Sequence, residues 1–314
     1  MDQLDGAILR EMFRGRHLWV GGVDPRQSAA ELAERLGVTR TTIWSRLKAW
    51  RTCGFLEGFD VVPNPDLFGL RFGAGSLRVD DPVRKAAILE DLGQVRGIVG
   101  AQDTLGPWMV VLTACANGEE FQRCSGLLRG LSGVVEAIPL VTFACPVSQG
   151  RPTPMDWRIL LELRRSSTQS LTEAADQLRL SSRTVLRRYT SMVRRNLIWY
   201  IPLLDYTKYG GVAMTRFNIY LHPTSDTGAV LERVRRQWPT HVDLADRSEF
   251  AHEAAQKVKH LVLFLQIPSA AGAEDVQKEL LGWPDVAEVE VLFPRRTYRY
   301  PSTLSDMIEK RLAE

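Results

Sequence analysis

The motifs of this chain run through the same order twice. A chain that repeats a supersecondary unit is confined to folds in which two such units pack together. Asp5-x-x-Ile8-Leu9-x-x-Met12 returns as Asp156-x-x-Ile159-Leu160-x-x-Leu163. Ser28 to Thr39 returns as Ser170 to Ser181, keeping Glu31/Glu173, Ala33/Ala175 and Leu36/Leu178 in step. Ile43, Leu47 and Trp50 return as Val185, Tyr189 and Met192, and Phe68-Gly69 as Tyr209-Gly210. Leu131-Ser-Gly-Val134 returns as Trp283-Pro-Asp-Val286. The first copy has a longer connection from Arg14 to Gln27, and the second an added segment from Phe250 to Lys259. Between the copies, Cys145 to Pro154 holds three prolines and a glycine, which continue neither helix nor ladder, so it reads as a linker.

Each copy opens with three helical patterns. Asp5 and Asp156 read as N-caps of the first helix, and Ser28/Glu31 and Ser170/Glu173 as capping boxes of the second. Gly37 ends the second helix of copy one, where a residue of positive φ turns the chain without steric cost; copy two has Arg179 there, which predicts a strained or reshaped turn. In the third helix Ile43, Leu47 and Trp50 form an inward stripe at i, i+4, i+7. The opposite face is polar and basic: Thr39, Arg40, Thr41, Ser45, Arg46 and Lys48, matched by Ser181, Ser182, Arg183, Arg187 and Arg188. Hydroxyl and guanidinium groups on a helix anchored from behind are what base edges and phosphates require. Six arginines and no acids lie between Arg179 and Arg195, so the second face is the more basic. These residues are the candidate DNA-binding set. Gly54 to Val62 and Asn196 to Leu204 follow, read as the hairpin of a winged helix.

The rest of each copy alternates as βαββαβ: strands near Gly69–Val79, Ile98–Thr104, Met109–Ala114 and Val134–Phe143, with helices near Pro82–Val95 and Glu119–Leu131, and the same order from Val212 to Phe293. This is the ferredoxin-like split unit. Its sheet has helices on one face only, so the other must be covered. The expectation is a face-to-face packing of the two sheets within one chain.

Composition narrows the class. With 314 residues, 45% hydrophobic and 25% charged, and a net charge of +3, the chain is an ordinary globular protein. The longest apolar runs, such as Leu261–Leu265, are strand-sized, and the N-terminus has no secretory pattern; the expectation is a cytoplasmic protein with no membrane association. Four scattered cysteines give no zinc or disulfide pattern. His252-Glu253-Ala-Ala-Gln256 lacks the second histidine of a zinc-protease helix, and His241, His252 and His260 are not at one-turn spacing. Gly73-Ala-Gly75 falls inside a strand, where glycines serve close packing and not a dinucleotide. No metal, cofactor or catalytic residue is expected.

The motifs Leu4-Asp5-x-x-Ile8-Leu9, Glu31-Leu-Ala33-Glu-Arg-Leu-Gly37, Ser45-Arg46-Leu47-x-x-Trp50 and Gly54-Phe55-Leu56-Glu57-Gly58, continued by the βαββαβ region, resemble the Lrp/AsnC (feast/famine) regulators over the whole chain, twice. The resemblance implies an α+β fold of two winged helix-turn-helix domains and two ferredoxin-like domains in tandem. The ranges are 1–63 and 155–204 for the former, and 64–145 and 205–300 for the latter. It implies a sequence-specific transcriptional regulator bound to double-stranded DNA, responsive to an amino acid or other metabolite. It also implies that one chain is a pseudo-dimer able to form homo-oligomers. Family members that bind amino acids have an acidic turn between the second and third strands. Here that turn is Gly106-Pro107-Trp108, which makes Gly106 and Trp108 the effector candidates and puts amino acids in question. Two other functions compete: a sirohaem-decarboxylase-like tetrapyrrole enzyme, whose related halves resemble the same unit, and an architectural DNA-binding protein.

Overall fold

A computed structural model describes residues 2–13, 25–137, 141–143, 147–208, 213–239, 243–246, 259–267 and 269–314. The segments at 14–24 and 247–258, most of the two length differences between the copies, lie outside the described residues, as do Cys145 and Gly210.

The element order is itself repeated. The first half contains α1 (Gln3–Phe13), α2 (Pro25–Leu36), α3 (Arg40–Thr52), β1 (Leu56–Pro63), β2 (Arg71–Val79), α4 (Lys85–Asp91), β3 (Ile98–Thr104), β4 (Trp108–Cys115), α5 (Gly118–Arg129), β5 (Val134–Ala137) and β6 (Val141–Phe143). The second contains α6 (Pro154–Arg165), α7 (Leu171–Leu178), α8 (Ser182–Arg194), β7 (Ile198–Leu204), β8 (Ala213–Leu221), α9 (Thr227–Gln237), β9 (Asp243–Asp246), β10 (Lys259–Ile267), α10 (Ala270–Leu281), β11 (Val286–Leu292) and β12 (Pro294–Arg299). One helix, α11 (Ser302–Ala313), has no counterpart and lies beyond the ranges read from sequence.

Both α/β units have the ferredoxin-like strand order. The second sheet runs β11-β8-β10-β9, and the first runs β3-β4-β2-β5 with β12 added outside β3. Helices cover one face of each. Close packing there explains Gly73: a Cβ would stand 2.7 Å from the Phe121 ring of α5.

Three sequence expectations need correction. First, neither expected hairpin forms. Gly54–Val62 and Asn196–Leu204 are not hairpins; each yields one strand, and the two strands pair antiparallel with each other, from Leu56↔Leu204 to Pro63↔Ile198. The residues that looked like turn signals, Gly54 and Asn196, both take positive φ (80° and 53°) and serve as the exit from the third helix. The central pairs are Phe59↔Pro202 and Asp60↔Ile201. Phe59 follows Gly54 at the same spacing as Ile201 follows Asn196, so these pairs exchange under a two-fold axis between them.

Second, the sheets do not share a core. Val62, Trp199 and Ile201 of the β1–β7 ribbon, with Leu304 of α11, cover Phe72, Ala74 and Ala114 on the open face of the first sheet. The open face of the second sheet, through Met214, Val262 and Phe264, packs on the first three-helix unit. There α1 lies so close to β10 that a Cβ on Gly6 would collide with the Gln266 amide. The two α/β units do meet, but edge to edge: β12 leaves the second unit and joins β3 of the first. The ribbon supplies the apolar cover that a second sheet was expected to give.

Third, the helix starts shift. α1 begins at Gln3, so Asp5 sits in its first turn and Asp2 is the cap: Asp2 Oδ1 accepts from the Leu4 and Asp5 amides, and Asp5 Oδ2 accepts from the Asp2 amide. α6 repeats this with Thr153 and Asp156. α2 begins at Pro25, which places Ser28 inside the helix; its side chain lies outside the described residues. The Ser170/Glu173 capping box is present as expected.

Candidate nucleic-acid interface

The two three-helix units are built alike. Ile8, Leu9, Leu32, Ala33, Ile43, Leu47 and Trp50 form one core, and Ile159, Leu160, Ala174, Ala175, Val185, Tyr189 and Met192 the other. Thr39 caps α3 by accepting from the Thr42 amide at 3.1 Å, and Ser181 caps α8 through Thr184 at the same distance. The turn before each cap is also the same. Gly37 has φ 65° and Arg179 has φ 55°, so copy two keeps the turn and carries the strain of a side chain in the left-handed region.

These anchors separate the candidate residues into two groups. Arg46 and Arg188 are half-buried and turn back to the first helix of their units. Arg46 lies 2.8 Å from Asp2 and 3.3 Å from Asp5, and Arg188 lies 2.9 Å from Asp156. Trp50 Nε1 also donates to Asp5 at 3.0 Å. These arginines lock the third helix to the first. Thr39 and Ser181 use their hydroxyls as caps. That leaves Arg40, Thr41, Ser45 and Lys48 on α3, and Ser182, Arg183 and Arg187 on α8, all exposed.

Sequence reasoning missed three features. Trp44 and Leu186, on the outward faces of α3 and α8, are large apolar side chains left 39% and 41% exposed. The basic side chains of α8 border a recess: Arg187, Arg188, Arg194 and Arg195 line an open groove of about 550 Å³ with Thr153 and Ser191. The linker docks there, with Arg195 donating to the carbonyls of Gln149 and Arg151. The arginines themselves were legible; that the linker would lie beside them was not.

The effector candidates sit in a closed turn. Gly106 has φ 78°. The buried Lys85 ammonium, 2.7 Å from Asp103, donates to the carbonyls of Thr104, Gly106 and Trp108. The Trp108 ring lies 6.0 Å from the Arg78 guanidinium. Three carbonyls of this turn are taken by Lys85, and that of Pro107 accepts from the Val79 amide. Of the three histidines considered as ligands, His241 and His252 lie outside the described residues, and His260 stacks on Tyr220 at 4.7 Å. No described helix is long and apolar enough to cross a membrane.

Against known proteins, residues 1–49 match the AsnC-type helix-turn-helix domain. An uncharacterised HTH-type transcriptional regulator of Pyrococcus furiosus is 26% identical over 148 residues, 46% of this chain and 93% of the relative. One from Pyrococcus horikoshii is 27% identical over the same lengths. These relatives are thus about half as long as this chain. Among solved structures, the siroheme decarboxylase NirDL in complex with an iron-uroporphyrin III analogue covers 99% of both chains, with TM-score 0.51 and 13% identity, a likeness of fold.

Proposed function

We propose that this chain, which carries an AsnC-type helix-turn-helix and resembles the Lrp/AsnC transcriptional regulators, is a sequence-specific DNA-binding regulator in which one polypeptide supplies both reading heads. In this reading the chain is a tandem duplication of a unit that elsewhere occurs singly, and the β1–β7 ribbon does within one molecule what pairing of two subunits would do. The observation that carries the proposal is the pair of third helices. They share cap, inward stripe and arginine lock, yet differ at nearly every outward position: Arg40 against Ser182, Thr41 against Arg183, Ser45 against Arg187. A frame kept constant around a varied face is what two readers of different sequences need.

Identical heads related by a two-fold read a palindrome. Unlike heads on one body read two different half-sites. Selection of duplexes from a random pool by the full chain is expected to return an asymmetric motif with two dissimilar halves. A perfect palindrome sinks the single-chain reading, and recovery without any motif, with steep salt dependence, favours the architectural one. The enzyme reading draws on the fold alone. The cavity beneath the ribbon, lined by Val62, Phe72, Ile201 and Leu304, is about 30 Å³, the size of a small water site, and His241 and His252, which the enzyme reading would use, lie outside the described residues. A bound visible spectrum after adding a sirohaem-class compound would nonetheless revive it.

A further inference from the structure

Solvent-facing positions on a short helix ordinarily go to polar residues, and single exposed apolar residues need no explanation. Here one occurs at the same place in both heads. Trp44 and Leu186 each stand directly after the first residue of the inward stripe, Ile43 and Val185, and at equal distance from the caps Thr39 and Ser181. Helical spacing sets each about a quarter-turn from the inward stripe, on the flank of the outward face. Trp44 is one turn from Arg40 and Lys48 and adjacent to Ser45; Leu186 is one turn from Ser182 and Arg183 and adjacent to Arg187. Neither belongs to the hydrophobic clusters that hold the two units together. Their neighbours on the face have changed between copies while the apolar character of this position has not.

The major groove presents one apolar group, the 5-methyl of thymine. We propose that Trp44 and Leu186 are specificity-determining residues that each cover a thymine methyl, so that the two half-sites, unlike elsewhere, share a thymine at the same place. The flanking cations suit this: Arg40 and Lys48 around Trp44, and Arg183 and Arg187 around Leu186, would hold the helix on phosphates and neighbouring base edges while the apolar flank reads the methyl. The proposal rests on the reading of both heads as DNA-binding.

The test uses the full chain and the tightest duplex from the selection. Thymines are replaced one at a time by deoxyuridine, which keeps every hydrogen-bonding edge and removes only the methyl. One position in each half-site is expected to weaken binding by about fourfold, the factor one buried methyl group carries. Trp44→Ala is expected to abolish the uridine effect in one half-site and leave it in the other, and Leu186→Ala the reverse. Both side chains are outside the cores, so thermal melting of either variant should match the parent. If wild type binds the duplex and no uridine replacement matters, the thymine reading is overturned and DNA binding stands. The same holds if the uridine effects persist in both alanine variants, since another residue then reads the methyl. If no duplex is bound, both readings fail. An effect at unmethylated cytosine positions gained on 5-methylation and lost in the same variants would support the same methyl pocket.

Discussion

The two helix-turn-helix units share a frame and differ in how they are fastened to the body. Both have a capped first helix, an arginine lock (Arg46–Asp5, Arg188–Asp156) and a left-handed turn before the third helix. The first unit is held by apolar packing on Phe59, Tyr200, Met214 and Phe264, with the Tyr200 hydroxyl donating to the Met12 carbonyl at 2.8 Å. The second packs on Val61, Ile198 and Ile308 and is held in addition by buried charge. Arg164, at the end of α6, lies 3.4 Å from Asp60 of the ribbon and donates to the carbonyls of Val61 and Pro301, while Arg299 of β12 approaches the same Asp60 oxygen at 3.4 Å. The residue matching Arg164 in the first unit is Phe13. The frame of a head and its attachment have therefore diverged separately: what presents the third helix is constant, and what anchors it is not.

The largest test of that contrast is Asp60→Ala. Burial pushes the Arg164 guanidinium down from its ordinary value and Asp60 pulls it back up, against Arg299. Without Asp60, two arginines face each other with no counter-charge. Breaking a buried pair in this way costs ~3–5 kcal/mol, so urea unfolding should show a loss of that size, with hydrogen exchange rising first in α6 to α8. The matching change in the other unit, Phe13→Ala, removes a half-buried ring and should cost roughly 2 kcal/mol. If Asp60→Ala costs no more than Phe13→Ala, the two attachments are energetically alike and the contrast is only pictorial.

On DNA the contrast should appear in salt dependence. Arg183 and Arg187 belong to a basic stripe that continues to Arg194, whereas Thr41 and Ser45 occupy the same positions in the first head. Each phosphate contact removed lowers the slope of log K against log salt by about one. The double variant Arg183→Ala/Arg187→Ala is expected to lose about two from the slope. Thr41→Ala/Ser45→Ala should leave the slope intact and relax the preference of one half-site. Equal slopes in both variants would mean that the heads divide the work evenly.

Most of each head was legible in the sequence because its caps, stripes and turn are local. Caps, inward stripes and the left-handed turn act within a few residues, and two aligned copies expose them. The strands of the two α/β units were also legible singly, from Arg71–Val79 to Val286–Leu292, but the single strands β1 and β7 and the added strand β12 were not. Nor were their partners. An apolar run followed by a turn residue looks the same in a hairpin and in a ribbon, and nothing near Gly54 says that its strand will pair with residues 198–204. The C-terminal tail shows the same limit. Tyr300 enters the first α/β core, and Ile308 enters the core of the second helix-turn-helix. Both contacts join regions far apart in sequence. The ion pairs of Arg46 and Arg188 were hidden for a related reason: an arginine on a basic face gives no sign that an aspartate of another helix lies beside it.

A smaller effect of opposite sign in the two units should come from the turn that both share. Gly37 has open space where a Cβ would go, so Gly37→Ala adds strain at φ 65° and no clash. Arg179 already bears that strain at φ 55°. Gly37→Ala should therefore destabilise, and Arg179→Gly stabilise, each by about 1 kcal/mol as read from urea midpoints. Glycine also gains freedom in the unfolded chain, which trims the second effect but not its sign. A loss of stability on Arg179→Gly would show that the arginine makes a contact worth more than its backbone strain, and the two turns would then not be equivalent.

The smallest effect lies in acid and concerns the caps. The Asp2 carboxylate is held below its ordinary value first by the hydrogen bond from the Asp5 backbone, and Glu173 by that from the Ser170 backbone, at 2.7 Å. Each folded-state value lies below the unfolded one, so the unfolded chain binds more protons and stability rises with pH through this window. The contribution is complete above the ordinary values of 3.8 and 4.5 and is lost as pH falls through the lowered ones. Both side chains are at the surface, where solvent screens the gain, so the effect is a slight change in the slope of melting temperature against pH below about pH 4.5. Asp2→Asn and Glu173→Gln retain an oxygen that accepts the amide but cannot titrate. Each should flatten the acid slope, Asp2→Asn through α1 and Glu173→Gln through α7, as seen in amide exchange at those two N-termini. An unchanged slope in both variants would mean that acid sensitivity arises elsewhere.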